Sequence, residues 1–146
     1  MLTTAPAIDV ASHLRLVVAR TARRLRQEAG QELSPSLTSA LAAIDRHGPL
    51  TPSELAAHER VQRPTATRLL GRLAELGLVE RAPDPVDRRS ALISVSPAGR
   101  TLLRRLRTRK NQYLARRLAT LTPDEVATLD RAAAILERML DAEERR

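Results

Sequence analysis

Apolar residues recur every three or four positions over most of the chain, and this spacing predicts α-helices with one buried face. The first such stretch, about Ile8–Glu28, aligns Val10, Leu14, Val17, Val18, Thr21 and Leu25 in one stripe. The same spacing predicts further helices over about Pro35–Arg46, Pro52–His58, Arg63–Leu76, Pro97–Leu118 and Pro123–Glu143. Two short apolar runs, near Leu78–Arg81 and Ala91–Val95, predict strands instead. The pattern therefore predicts a mainly α fold with one small β-hairpin.

Four Ser/Thr-Pro pairs mark where helices begin: Ser34-Pro35, Thr51-Pro52, Ser96-Pro97 and Thr122-Pro123. A hydroxyl side chain caps free N–H groups of a first helical turn, and proline suits the first helical position. Glu54 and Glu125 stand three residues after their threonines, which predicts a capping box at each. The starts of the third and sixth helices are therefore each predicted by two signals, a Thr-Pro pair and a capping box.

The short third helix and the fourth helix form the most informative unit. Leu55 and Ala56 are predicted to face inward, and Val61 to fill the angle between the two helices. The fourth helix has an apolar face, formed by Ala66, Leu69, Leu70, Leu73 and Leu76, and a polar opposite face. Two helices joined by a tight turn, the second with a polar face, indicate a helix-turn-helix. Its second helix is expected to enter the DNA major groove.

The side chains of this recognition helix suit base and backbone contacts. Arginine forms paired hydrogen bonds with guanine, glutamine with adenine, and small apolar surfaces contact the thymine methyl group. The candidate DNA-binding residues are Gln62, Arg63, Pro64, Thr65, Thr67, Arg68 and Arg72. The alternative is an ordinary amphipathic helix with solvated arginines.

A hairpin directly after a recognition helix is typical of a winged helix. Val79, Ile93 and Val95 are predicted to pack the two strands onto the helices, so that the tip, residues 83–90, projects. Arg88 and Arg89 would then lie near the DNA backbone and the minor groove, whose negative potential attracts arginine. Asp87 would repel phosphate, so we expect it to bond backbone N–H groups of the turn or to orient a neighbouring arginine. A solvated turn is the alternative.

Composition narrows the function classes. The net charge is +8, which suggests a polyanionic partner. With no Cys and three scattered His, the sequence predicts no disulfide, metal site or cofactor. No apolar run is long enough to span a bilayer and no signal peptide is recognisable, so we expect a cytoplasmic protein without a membrane partner. The charge is also segregated: ten basic and no acidic residues lie between Arg88 and Pro123.

The segments "RPTATRLLGRLAELGLVER" and "DPVDRRSALISVSPAGR", together with the helix order, resemble the MarR family of bacterial transcriptional regulators. The resemblance implies a single domain over residues 1–146, with dimerisation helices at 8–30 and 97–146 and a winged helix-turn-helix core at 35–95. It implies a homodimer, most often a repressor, on a palindromic double-stranded operator, with Arg89 in the minor groove. Two departures are "HER" at 58–60, where a glycine-containing turn is usual, and Gln62 in place of a Ser or Thr cap.

Many members of this family are released from DNA by small aromatic acids or phenols. A cationic rim formed by His13, Arg20, Arg24, Arg46 and His47 is the candidate effector pocket, since it would suit a carboxylate. The alternative is that these side chains merely flank an apolar stripe and extend into solvent. The near absence of aromatic residues, with Tyr113 alone, offers little for stacking on an aromatic ligand.

Other functions remain to be weighed against a dimeric regulator. A non-specific architectural DNA-binding protein would share the positive charge, but it would not need Gln62 and Thr67 among the arginines. An adaptor that had lost DNA binding would not need Arg68, Arg88 and Arg89. No phosphate-binding loop, metal cluster or nucleophile–base pair suggests an enzyme. A monomeric helical bundle is the alternative to a dimer.

Overall fold

The computed structural model describes residues 5–145, and its elements follow the predicted order. They are α1 (Ala5–Ala29), α2 (Pro35–His47), α3 (Pro52–Glu59), α4 (Arg63–Glu75), β1 (Val79–Pro83), β2 (Ala91–Val95), α5 (Pro97–Leu118) and α6 (Pro123–Glu144). The mainly α fold with a small hairpin is therefore confirmed. The ends of the predicted single domain, residues 1–4 and 146, lie outside the described residues.

The predicted helix starts are built as the sequence indicated. Ser34 Oγ accepts a hydrogen bond from the Leu37 N–H, and both threonines form complete capping boxes with their glutamates. Ser96 Oγ accepts from the Gly99 N–H at 3.1 Å. Gln62 makes no side-chain cap, and Arg60 adopts the left-handed conformation (φ 53°) in the turn before α4. An arginine therefore occupies a backbone conformation that favours glycine.

The chain forms two compact units, Met1–Lys110 and Asn111–Arg146. The core of the first unit joins α2, α3, α4, the sheet and the first part of α5. Its most deeply buried large side chains are Leu41, Ile44, Leu55, Leu70, Leu73 and Ile93. Val79 and Val95 are buried as predicted, so the hairpin is packed onto the helices.

Leu76 departs from the predicted apolar face of α4. Its side chain is 42% exposed, because α4 ends at Glu75 and the chain reverses at Gly77, which has a φ of +71°. Leu78 enters the core in its place. The prediction that Leu76 faces inward is therefore wrong, and Leu76 lines a surface cavity instead.

The sheet has two antiparallel strands in which Val79 pairs with Val95 and Pro83 with Ala91. Leu50 adds an isolated bridge to β2: its N–H donates to the Ile93 carbonyl at 2.9 Å, and the Ile93 N–H donates back at 2.8 Å. β2 is therefore held by hydrogen bonds along both edges, to β1 on one side and to Leu50 on the other. Nothing in the sequence pattern indicated this third pairing.

The stripe of α1 lacks a covering element in the described chain. Val10, Leu14, Val17 and Val18 are all exposed. In the second unit, α6 likewise exposes Leu129, Ile135, Met139 and Leu140. Within residues 5–145, no helix combines the length and the apolar character that crossing a bilayer requires.

Candidate nucleic-acid interface

The first turns of α4 present the predicted recognition residues on one surface. Gln62 precedes the helix, and the side chains of Arg63, Pro64, Thr67, Arg68 and Arg72 are exposed, whereas Thr65 is half-buried. The opposite face is anchored by Ala66, Leu70 and Leu73. Arg72 pairs with Glu75 at 3.1 Å, so its charge is partly satisfied within the helix.

The wing tip is ordered by its own hydrogen bonds. Asp87 Oδ1 accepts from the Arg89 N–H at 3.0 Å, and Asp84 Oδ1 accepts from the Val86 N–H at 2.9 Å. The loop is closed by the Asp84 N–H donating to the Ser90 carbonyl at 3.3 Å. Asp87 therefore bonds a backbone N–H of the turn, as expected from the sequence, and the Arg88 and Arg89 side chains remain exposed.

A short connection holds the wing against α4. The Leu78 N–H donates to the Leu73 carbonyl at 3.0 Å, and the Ser96 N–H donates to the Leu78 carbonyl at 3.0 Å. Ser96 Oγ also donates to the Gly77 carbonyl at 2.6 Å. These bonds tie the end of α4, the start of β1 and the start of α5 together, so the wing has a fixed position beside the helix.

The electrostatic character of this surface is set by arginines without acidic partners. Within the described part of the chain, no ion pair involves Arg63, Arg68, Arg88 or Arg89. Some arginines elsewhere are paired with a carboxylate, for example Arg107 with Asp45 at 2.9 Å. Cations left without a carboxylate are available for phosphate groups and base edges.

A cleft of about 450 Å³, lined by both polar and apolar side chains, lies beside α4 and was not foreseen from the sequence. Ser39 and Glu59 form one wall, where Ser39 Oγ donates to Glu59 Oε2 at 2.7 Å, and Thr65 and Arg68 line the same cleft. This bond joins α2 to the end of α3 and leaves Arg68 accessible from the cleft. Ser39 and Glu59 are 20 positions apart, so no local sequence signal pairs them.

The five residues of the predicted effector pocket are exposed and engaged in different ways. Arg24 pairs with Glu28 at 2.5 Å, and the His47 ring stacks on His58 with the centroids 4.1 Å apart. His13, Arg20 and Arg46 are exposed, and none of the five lines the cleft beside α4 or the larger cavity described next. An effector pocket at these residues stays a prediction.

The larger cavity, of about 540 Å³, has apolar walls that include Leu33, Leu76, Leu78 and Leu102. Glu32 and Arg105 also line this cavity and form an ion pair with each other. Arg109 Nη1 also donates to Glu32 Oε1 at 3.0 Å and to the Ala29 carbonyl at 2.9 Å. The hydrogen bond from Arg105, followed by that from Arg109, lowers the pKa of Glu32.

Comparisons with known proteins agree with this geometry. The MarR family model matches residues 32–90, the region from the start of the core to the wing. An HTH-type transcriptional regulator of Mycobacterium bovis is 41% identical over 133 residues, which cover 90% of this chain and 93% of that protein. The chain belongs to the MarR family.

Further MarR-family comparisons extend the match to solved structures. A proposed transcriptional regulator from Pseudomonas aeruginosa superposes with a TM-score of 0.83 at 38% identity, covering 94% of this chain and 97% of that one. The multiple antibiotic resistance protein MarR of Salmonella typhimurium is 38% identical over 62% of this chain and 63% of its own length. This MarR-family protein is therefore a helix-turn-helix transcriptional regulator that binds DNA. The matched relatives are named as transcriptional regulators.

Proposed function

We propose that this MarR-family protein is a homodimeric repressor of an inverted-repeat operator, with α4 in the major groove and the wing at the minor groove. The observation that carries the proposal is the group of exposed arginines without acidic partners on α4 and the wing, Arg63, Arg68, Arg88 and Arg89. They stand on two elements that the Leu78 and Ser96 hydrogen bonds fix relative to each other. A rigid pair of elements reads a defined site because its contacts are preorganised.

The homodimer is supported by the exposed stripe of α1. Four apolar side chains, Val10, Leu14, Val17 and Val18, face solvent on one side of a 25-residue helix. Contiguous apolar surface of this kind marks an interaction site. A two-fold dimer presents two recognition helices to two half-sites about one helical turn apart, which accounts for an operator with inverted symmetry.

The alternative is a non-specific architectural DNA-binding protein. The net charge of +8 fits that alternative as well as it fits the proposed repressor. Counterion release makes binding depend on salt in both cases, but only a sequence reader has a large ratio of specific to non-specific affinity. Gln62 and Thr67 among the arginines of α4 support the sequence reader, because their side chains recognise bases.

Selection of bound duplexes from a random pool at physiological salt, with the mass of the complex measured, tests the proposal. Enrichment of an inverted repeat bound by two chains supports it. Tight binding only at low salt, without enrichment, supports the architectural alternative. A single chain on a single half-site contradicts the homodimer.

We further propose that a small acid releases the protein from DNA, bound either at the predicted cationic rim or in the 540 Å³ cavity. Leucine walls and the Glu32–Arg105 pair suit a small acid whose carboxylate competes with Glu32 for Arg105. Titration of aromatic acids against the operator complex, with Arg105→Gln and Arg20→Gln variants in parallel, separates the two locations. Loss of ligand response only in Arg20→Gln supports the rim, and loss only in Arg105→Gln supports the cavity.

A further inference from the structure

Val86 stands apart from the other exposed apolar residues of the protein. Its side chain is 95% exposed, more than that of Val10 on α1, which is 65% exposed. Most other exposed large apolar residues lie on helical faces, whereas Val86 lies alone at the tip of the wing, between Pro85 and Asp87. The free protein therefore gains nothing from an apolar side chain at this position.

The loop is built so that Val86 projects with little freedom. Its N–H donates to Asp84 Oδ1 at 2.9 Å, and prolines at 83 and 85 restrict the backbone before it. The Ser90 N–H donates to the Asp87 carbonyl at 3.0 Å on the other side of the tip. A preordered side chain loses little conformational entropy when it enters a binding site.

The two following arginines identify what Val86 would meet. Arg88 and Arg89 are exposed cations at the same tip, so the tip is drawn to the strongly negative minor groove. That groove is about 6 Å wide, and its sugar–phosphate walls include deoxyribose C–H groups. The carboxylates of Asp84 and Asp87 bond backbone N–H groups, which leaves Val86, next to the exposed Pro85, as an apolar side chain that can approach the groove.

We propose that Val86 is a DNA-contact residue whose methyl groups pack against deoxyribose in the minor groove and disfavour a guanine amino group there. The inference rests on the proposed function, since it needs the wing to meet the minor groove of the operator. The guanine N2 amino group projects into the minor groove and is absent from A·T pairs. An apolar side chain in the groove cannot hydrogen-bond to that amino group and desolvates it, so A·T pairs are favoured under the wing.

The test compares full-length variants on the operator recovered by the selection experiment. Val86→Thr keeps the shape and adds a hydroxyl; we expect about fivefold weaker binding, in keeping with partial loss of one buried aliphatic group. Because no charge changes, the dependence of affinity on salt should stay that of the wild type. Arg88→Ala is the matched control and should lower the salt dependence. Val86→Ile, which remains apolar, should bind at least as tightly as the wild type within about twofold.

Base substitutions under the wing supply the second measurement. Replacing A·T by inosine·cytosine adds no minor-groove amino group, whereas G·C adds one; we expect the wild type to tolerate the first and lose several-fold affinity with the second. Val86→Gly should reduce that difference. Wild-type affinity and an unchanged base preference in both Val86→Thr and Val86→Gly would overturn the inference about Val86 and leave the proposed function standing. Failure of the wild type to select any operator would overturn the proposed function instead.

Discussion

The hydroxyl of Ser96 connects the end of the wing to the end of α4 through the carbonyl of Gly77, to which it donates a hydrogen bond of 2.6 Å. Ser96 lies between β2 of the wing and the first residue of α5, and Gly77 follows α4. The same oxygen accepts from the Gly99 N–H, so one buried side chain caps α5 and fixes the chain reversal after α4. A local sequence signal for a helix start thus also has a tertiary role.

Ser96→Ala should lower the free energy of unfolding by about 2 kcal/mol, because it removes a helix cap and a hydrogen bond from a buried group. Ser34→Ala is the matched control: that serine caps α2 through one bond at 3.3 Å and is exposed, so we expect a loss of about 0.5–1 kcal/mol. Urea denaturation measures both. Equal losses in the two variants would remove the tertiary role assigned to Ser96.

Gly99→Ala and Gly71→Ala should change stability in opposite directions. A Cβ at Gly99 would stand 2.2 Å from the Leu78 carbonyl oxygen, so α5 or the wing must shift, at a cost of about 2 kcal/mol or more. A Cβ at Gly71 meets nothing within 4 Å, and alanine should stabilise α4 by about 0.5–1 kcal/mol. Thermal and chemical unfolding of both variants checks the prediction, and stabilisation by Gly99→Ala would contradict the described packing.

Much of the fold was predictable because its signals are local. Hydroxyl-proline pairs and periodic leucines mark helix starts and faces, and the hairpin follows from Val79, Ile93 and Val95. Leu76 was misplaced because the end of α4 is decided by the reversal at Gly77, not by the apolar period. The Leu50–Ile93 bridge and the Ser39–Glu59 bond join residues far apart in sequence, so single-sequence patterns carry no trace of them.

Glu32→Gln should make the free energy of unfolding less dependent on pH under acidic conditions. The pKa of Glu32 is lowered by hydrogen bonds from Arg105 and then Arg109, so the ionised carboxylate stabilises the folded state above its ordinary pKa of 4.5. That contribution is lost as the pH falls from about 4.5 through the lowered folded-state pKa. The wild type should therefore lose more stability than Glu32→Gln over this range. Denaturation at successive pH values gives the free energy of unfolding of both proteins. An equal decrease in the wild type and in Glu32→Gln would contradict the assignment.

Leu14→Glu should shift the protein toward monomers and weaken operator binding, because it places a charge in the centre of the exposed α1 stripe. Ser12→Asp, on the opposite side of the same helix, should leave the association unchanged. Sedimentation equilibrium over a range of concentrations measures the effect. A dimer of unaltered strength in Leu14→Glu would place the interface elsewhere.

Arg68 and Arg88 should differ in the kind of binding they contribute. Arg68 projects from α4 without an acidic partner, and paired hydrogen bonds to guanine would give about 1–3 kcal/mol of base discrimination. Arg68→Ala should therefore weaken binding to the operator about 10- to 100-fold and relax the preference at one base pair per half-site. Arg88→Ala should weaken binding more evenly across sequences and reduce the salt dependence by about one ion per subunit.

Arg131→Ala on α6 removes the same charge outside the winged helix and should match the wild type. Titrations of each variant against the operator, single-base variants and unrelated duplexes, at several salt concentrations, separate these outcomes. Equal losses on every sequence for Arg68→Ala would make that residue a phosphate contact instead of a base reader.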